Sequence, residues 1–224
     1  MGTSYLGRAC AGSPAALNVD DVDFFAFVRD LIAASRLAEE ARFVQHGSTS
    51  TLLHSLAVAY KAGEIVCSRG RSHLLPEAWR AALLHDYYLY DWHDSAQAGR
   101  LHGFTHPGIA LKNAYEDFPD LTWREADAIA RHMFPLTPVP PCSAVGWAVV
   151  AADKVCACYE TSVRGGEAYP ELRALCARHL AGVELVLPGP VDAGEASAPQ
   201  AVLGPVRASG LPRWLAHRRK GVSS

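Results

Sequence analysis

The chain is predicted to be all-α, a single helical bundle of about seven helices. Three observations predict this. Apolar residues recur at helical spacing in one segment after another. Capping residues, prolines or glycines bound those segments. No stretch alternates apolar and polar residues between hairpin-type turns.

Residues 1–17 are rich in Gly, Ala and Ser and are expected to be a flexible N-terminus. The helical domain is expected over 18–186 and begins with a cap at Asn18 or Asp20. Phe24, Phe25, Phe27, Val28, Leu31 and Ile32 supply the stripe of the first helix. The stretch from Arg42 through His46 and Gly47 to Ser50 reads as a turn followed by capping residues. A second helix is expected from Thr51 to Cys67, with His54, Ala57, Val58 and Ile65 on one face and Gly70 ending it.

Pro76 suits the first turn of the next helix, which is expected to carry His85 and Asp86. Ala78, Ala81 and Ala82 precede His85 by seven, four and three residues, so they share its face and let other helices come close. Adjacent helical residues point about 100° apart, so His85 and Asp86 cannot lie in one side-chain layer, but both can reach a point between helices.

Trp92 to Thr105 reads as a loop broken by Gly99 and Gly103. His106-Pro107 is expected to start a helix that ends near Pro119. Thr122 and Glu125 form a capping-box pattern opening a helix through Ala128, Ile129 and His132, which Pro135 and the 138–141 proline run stop. Ser143 to Tyr159 is a strongly apolar helix interrupted by Asp153, and a last helix starts at Pro170 and runs to about Val183. Residues 187–224 turn to Pro, Gly, Ala and Ser, end in a basic 213–220 segment and read as a flexible tail.

The 224 residues suffice for one large domain, and 50% hydrophobic with 20% charged residues is ordinary for a soluble globular protein. A net charge of −2 and a pI near 6.5 offer no basic excess for nucleic acid as main partner. No apolar run approaches the ~18 residues of a membrane span, and the first residues lack a signal pattern, so no membrane partner is expected. The six cysteines include no C-x-x-C pair and read as reduced thiols of a cytoplasmic protein. Nothing in the sequence specifies an oligomeric state.

Several polar residues fall where helical periodicity buries them. His54 shares a face with Ala57 and Val58; His132 follows Ala128 and Ile129 by four and three; Asp153 shares a face with Val149, Val150 and Cys156. An isolated carboxylate taken out of water loses several kcal/mol, so Asp153 needs a cation. Lys154 is expected to point to another side of the helix, which leaves a metal ion as the economical partner. His54, His85, Asp86, His106, His132 and Asp153 thus form a candidate set on five helices or helix ends. Four imidazoles and two carboxylates can fill two sites with Asp86 bridging. Mixed N/O ligation suits two divalent ions of Fe, Mn, Co, Ni or Zn.

The order His54, His85-Asp86, Asp153 resembles the HD-domain superfamily of metal-dependent phosphohydrolases, and His106 and His132 resemble its binuclear branch. The segments 45–50, 82–93, 102–107, 131–141 and 152–156 are similar to a family of small bacterial HD-domain proteins, and the resemblance covers Val44 to Tyr159. It departs from the HD-GYP phosphodiesterases: Arg131-His-Met-Phe-Pro135 stands where those show paired histidines and a Gly-Tyr-Pro, and Asp91-Trp-His93 stands where many carry a lysine. Cyclic di-GMP cleavage is therefore not implied.

The resemblance implies a phosphohydrolase acting on a small phosphoester, a nucleotide by preference. His102 and His93, on the intervening loop, are candidates to assist the leaving oxygen. Arg131 and Lys154 sit beside ligands and are candidates to contact phosphate. His46 is a candidate partner that orients a ligand imidazole. A di-iron oxygenase of the same superfamily uses the same six ligands, and a non-catalytic nucleotide- or metal-sensing module is a further alternative. Tyr87, Tyr88, Tyr90 and Trp92 are expected mainly in core packing, with stacking on a base as the other reading.

Overall fold

The computed structural model describes residues 21–46, 49–93, 101–163 and 167–181. The expectations for 1–17, for caps at Asn18 or Asp20, for Gly99 and for the 187–224 tail lie outside the described residues. Among the described residues the chain forms seven α-helices: α1 (Asp21–Ala33), α2 (Thr51–Ser68), α3 (Leu75–Leu83), α4 (His102–Asp117), α5 (Trp123–Arg131), α6 (Ala144–Ser162) and α7 (Pro170–His179). Short 3₁₀-helices cover Leu37–Arg42 and Ser72–Leu74.

Helix α2 is apolar almost all round, the pattern of a helix enclosed by others. It packs on α3, on α6 and on the first 3₁₀-helix, and Leu52, Leu56, Ala57, Val58 and Ala59 are fully buried. Each buried leucine contributes about 2 kcal/mol through area removed from water. Ser50 caps α2 by accepting from the Leu53 N–H at 3.2 Å. Gly63 brings α3 close: a Cβ there would lie 2.5 Å from Trp79 Nε1. Ala78, Ala81 and Ala82 are fully buried on the facing helix, so small side chains set the spacing from both directions.

The first helix presents the expected stripe, with Phe24, Phe25, Val28 and Leu31 buried. Thr122 and Glu125 form the expected capping box on α5, Ser143 caps α6 through the Gly146 N–H, and Gly70 follows α2 at φ 66°. The five described cysteines are free thiols. No described helix is long and apolar enough to cross a membrane.

Three expectations need correction. A two-stranded antiparallel hairpin pairs β1 (Val44–His46) with β2 (Thr49–Ser50), where only a turn was expected. Strands of three and two residues are too short to leave an alternating pattern. His106-Pro107 does not start a helix: α4 begins at His102, so Gly103 and Pro107 lie inside it. Pro107 is the sixth residue of α4, so Gly103 O lacks the N–H donor that any other residue at 107 would supply.

The third correction concerns His85 and Asp86. Helix α3 ends at Leu83, and both residues lie in the turns that follow. The Tyr87 and Tyr88 N–H groups donate to Leu84 O and Asp86 O, and Leu89 leaves in the left-handed region at φ 58°. Helix α4 pins this turn from outside, since Asn113 Nδ2 donates to Tyr87 O at 2.9 Å and the Tyr87 hydroxyl donates to Asp117 Oδ2 at 2.5 Å. The turn frees His85 and Asp86 from the fixed angle between helical neighbours, and both become buried.

Candidate metal centre

The six residues arrive from α2, the turn after α3, the second turn of α4, the C-terminal end of α5 and the middle of α6. All six are buried. They form two groups, His54–His85–Asp153 and Asp86–His106–His132, and within each group the ligand atoms lie within 4.8 Å of one another. These buried His/Asp groups can hold a metal ion.

Asp86 stands between the groups. Its Oδ1 lies 3.2 Å from His106 Nε2 and 3.4 Å from His132 Nε2. Its Oδ2 lies 3.4 Å from His85 Nε2 and 4.0 Å from His54 Nε2. Asp153 Oδ1 closes the other side, 3.3 Å from His54 Nε2 and 4.0 Å from His85 Nε2.

The imidazoles turn Nε2 toward the carboxylates. Nδ1 of His85 meets Ala82 O at 2.7 Å, that of His106 meets His102 O at 2.9 Å, and that of His132 meets Ile129 O at 2.8 Å. A carbonyl only accepts, so each Nδ1 carries a proton and a neutral ring turns its Nε2 lone pair inward. His54 Nδ1 instead meets both oxygens of Glu160, at 2.9 and 3.1 Å. Nε2 of His54 and of His85 is buried without a hydrogen-bond partner. Buried unpartnered acceptors that converge on carboxylates fit a cation.

The electrostatics agree. Burial opposes ionisation of Asp86, but His85, His106 and His132 outweigh it and hold the carboxyl well below the usual range. Burial likewise opposes ionisation of Asp153, which His54, His85 and Lys154 hold low. Burial pushes His85 down to about 4. Against burial, Glu160 and Asp153 raise His54, and Asp86 raises His106. A centre that lowers its acids and raises two of its bases stabilises positive charge. Burial pushes the nearby Glu40 carboxyl well above its ordinary value, with Asp86 adding to the effect.

The remaining candidates divide. His102 stacks on His106, ring centroids 4.7 Å apart, and its Nδ1 meets the Tyr90 hydroxyl at 2.9 Å. Burial and His106 push it down to about 4, so it stays neutral near pH 7 and does not arrive protonated as the expected acid. His93 lies further out. Its side chain is 48% exposed, pairs with Asp91 and lies on Trp92, which stacks on His102, so two rings separate it from His106.

Arg131 is turned elsewhere, engaged by Asp127 at 3.0 Å and by Pro140 O at 3.1 Å. An acid four residues earlier on the same helix captures it. Lys154 does not avoid Asp153 as expected: its flexible stem curls back and Nζ donates to Asp153 Oδ2 at 2.7 Å. Nζ also lies 3.5 Å from His132 O, and the side chain is 41% exposed, which places a cation at the edge of the centre. His46 meets the His54 ring edge-on at 6.0 Å, whereas the hydrogen bond expected of it comes from Glu160.

Two residues were missed. Glu160 lies seven positions after Asp153 and so on the same face of α6, a signal the sequence carried. Gln45 lies on β1: its Nε2 donates to Asp86 Oδ2 at 2.6 Å and its Oε1 accepts from the Tyr88 hydroxyl at 2.6 Å. Only the short hairpin brings it there. Tyr87 and Tyr88 are buried, in keeping with packing, and the half-buried Trp92 is flanked by His93 and His102. Comparison of the chain with family models, with curated proteins and with solved structures gives no significant match.

Proposed function

We propose that this chain is a metal-dependent phosphohydrolase with a two-ion centre in an HD-type helical fold, acting on a small phosphoester such as a nucleotide. The observation that carries the reading is the position of Asp86, with one oxygen facing each histidine group. His54, His85 and Asp153 would hold one ion, His106 and His132 the other, and Asp86 would be shared. Bound divalent ions supply Lewis acidity toward a phosphoryl oxygen and make a water acidic enough to attack at neutral pH.

The chain's own groups would do the rest. The backbone carbonyls of Ala82, His102 and Ile129 hold three imidazoles in one tautomer, so their Nε2 atoms need no reorganisation. Gln45 fixes the Asp86 carboxylate through Oδ2. Lys154, half-exposed at the edge, offers an ammonium to an anionic oxygen of the substrate. His102, half-buried, stacks on His106 and meets the Tyr90 hydroxyl through Nδ1.

The test is metal analysis of protein purified without chelator, then a phosphoester panel with Mn, Co, Ni, Fe, Zn or Mg restored singly. Two ions per chain with metal-dependent phosphate release support the reading. Bound metal with no turnover of any ester would sink it and leave the sensing module. A di-iron oxygenase is the second reading. It would use the same six residues, so metal identity separates the two readings. Aerobic protein with a mixed-valence iron signal and no phosphatase activity would select it.

A further inference from the structure

The two halves of the centre do not have the same surroundings. His106 and His132 turn their Nδ1 atoms to neutral carbonyls, and the carboxylate facing them is Asp86 Oδ1, which is shared. The other half faces Asp86 Oδ2 and has Asp153 of its own. Behind His54 stands Glu160, its side chain fully buried, with both oxygens within 3.1 Å of His54 Nδ1. A carboxylate hydrogen-bonded to a ligand imidazole orients the ring and makes it a stronger donor.

Two contacts work against this asymmetry. Lys154 Nζ and Gln45 Nε2 both draw on carboxylate oxygens of the same half. Lys154, however, takes Asp153 Oδ2 and leaves Oδ1 facing His54. It is also half-exposed, so solvent screens it, whereas Glu160 is screened by nothing but protein.

Tyr169 lies close to Glu160. Tyr169 is buried against Tyr159, centroids 4.9 Å apart, in a left-handed conformation at φ 58° that a tyrosine rarely adopts. Its hydroxyl donates to Cys156 O at 3.4 Å, and burial together with Cys156 and Glu160 raises its pKa. Tyr169, the residue before α7, thus stands beside Glu160.

We propose that the halves are unequal in affinity and that Glu160, a positioning residue acting through His54, makes the His54–His85–Asp153 half the tight one. This half fills first, and the Asp86–His106–His132 half fills second and exchanges readily. The inference rests on the two-ion reading, and it implies that the supply of free metal controls how much of the protein is fully loaded.

The test is calorimetric titration of the chelator-stripped full chain with Mn²⁺, followed in parallel by electron paramagnetic resonance. Wild type is expected to bind in two steps, with a mononuclear manganese signal at one equivalent and a coupled pair at two. Glu160→Gln is expected to weaken the first step by roughly 10–100-fold and move the second far less. His106→Ala is expected to keep the tight step and lose the weak one, and Asp153→Asn to do the reverse, which decides the matter even if Glu160→Gln does not fold. A Glu160→Gln titration like wild type, two equal steps, or loss of the tight step in His106→Ala would overturn the inference while leaving the two-ion centre standing. Wild type that binds no Mn²⁺ would overturn both.

Discussion

Nε2 of His106 lies 2.8 Å from Nε2 of His132. Both rings give their Nδ1 proton to a backbone carbonyl, so as neutral imidazoles they aim two lone pairs at each other. That contact is repulsive unless a proton or a metal ion lies between them. Asp86 Oδ1, within 3.4 Å of both nitrogens, supplies the anion that such a cation needs.

On the two-ion reading, Asp86→Ala would remove a ligand from both halves at once. The expected outcome is loss of most bound metal, measured by elemental analysis after gel filtration, in a chain that still gives a helical circular dichroism spectrum. Near-normal metal content would sink the assignment of Asp86 as a shared ligand.

Lys154→Met keeps the stem and deletes the ammonium. If Lys154 binds an anionic oxygen of the substrate, KM for a hydrolysed phosphoester should rise about tenfold, the lower range for a charge-assisted hydrogen bond at a half-exposed site. Metal content should not change. An unaltered KM would confine Lys154 to its pairing with Asp153.

Acid should destabilise the metal-free protein through His85. Burial holds its folded pKa near 4, against about 6.5 in an unfolded chain, so the unfolded state binds more protons between these values. Its contribution is complete above pH 6.5 and is lost as pH falls toward 4, by up to about 3 kcal/mol. His54, whose pKa is raised, titrates in the opposite sense and offsets part of this in wild type. The comparison is thus urea unfolding of wild type and His85→Gln between pH 7 and 4.5, with the shallower loss expected in the variant. Equal slopes would refute the assignment.

Arg80 is 4% exposed and forms a fork with Glu125, both bonds 2.8 Å long. Arg80→Met would leave a buried carboxylate, a change that costs about 3–5 kcal/mol where a buried pair is broken. The Thr122 N–H still donates to Glu125 Oε2 at 2.7 Å, which favours the lower end. Urea denaturation reads this directly, and a loss well under 1 kcal/mol would contradict a desolvated pair.

Gly63→Ala sets helix propensity against packing. Alanine gains about 1 kcal/mol in a helix interior. The new Cβ would come within 2.5 Å of Trp79 Nε1 and about 3 Å of Leu75 Cδ1, and overpacking of that kind costs about 1–3 kcal/mol. Net destabilisation with a shifted tryptophan fluorescence is expected. A more stable variant would show that α2 and α3 can move apart at no cost.

Helical periodicity and caps are local properties of the chain, so the sequence alone determined where most helices run. Ser50, Thr122 and Ser143 do what their positions promise. The same periodicity exposed the misfit of His54, His132 and Asp153 on apolar faces, and thereby the candidate ligands. Where helix ends depend on distant contacts, local reasoning failed. Helix α3 stops at Leu83 because the following turn is pinned by Asn113 and Asp117 of α4, and no pattern near residue 84 records that.

The tertiary structure decided which side chains meet. Arg131 and Lys154 stand equally beside ligands in the sequence, yet Asp127 captures one and Asp153 the other. Glu160 reaches His54 across 106 residues of chain, and Gln45 reaches Asp86 across 41. Asp86 comes to face two histidine groups because the chain's helix ends two residues before His85 and the turn brings both side chains into the bundle. Residue identity and spacing determine what a segment can bury; the crossing of segments far apart in the chain determines what it is buried against.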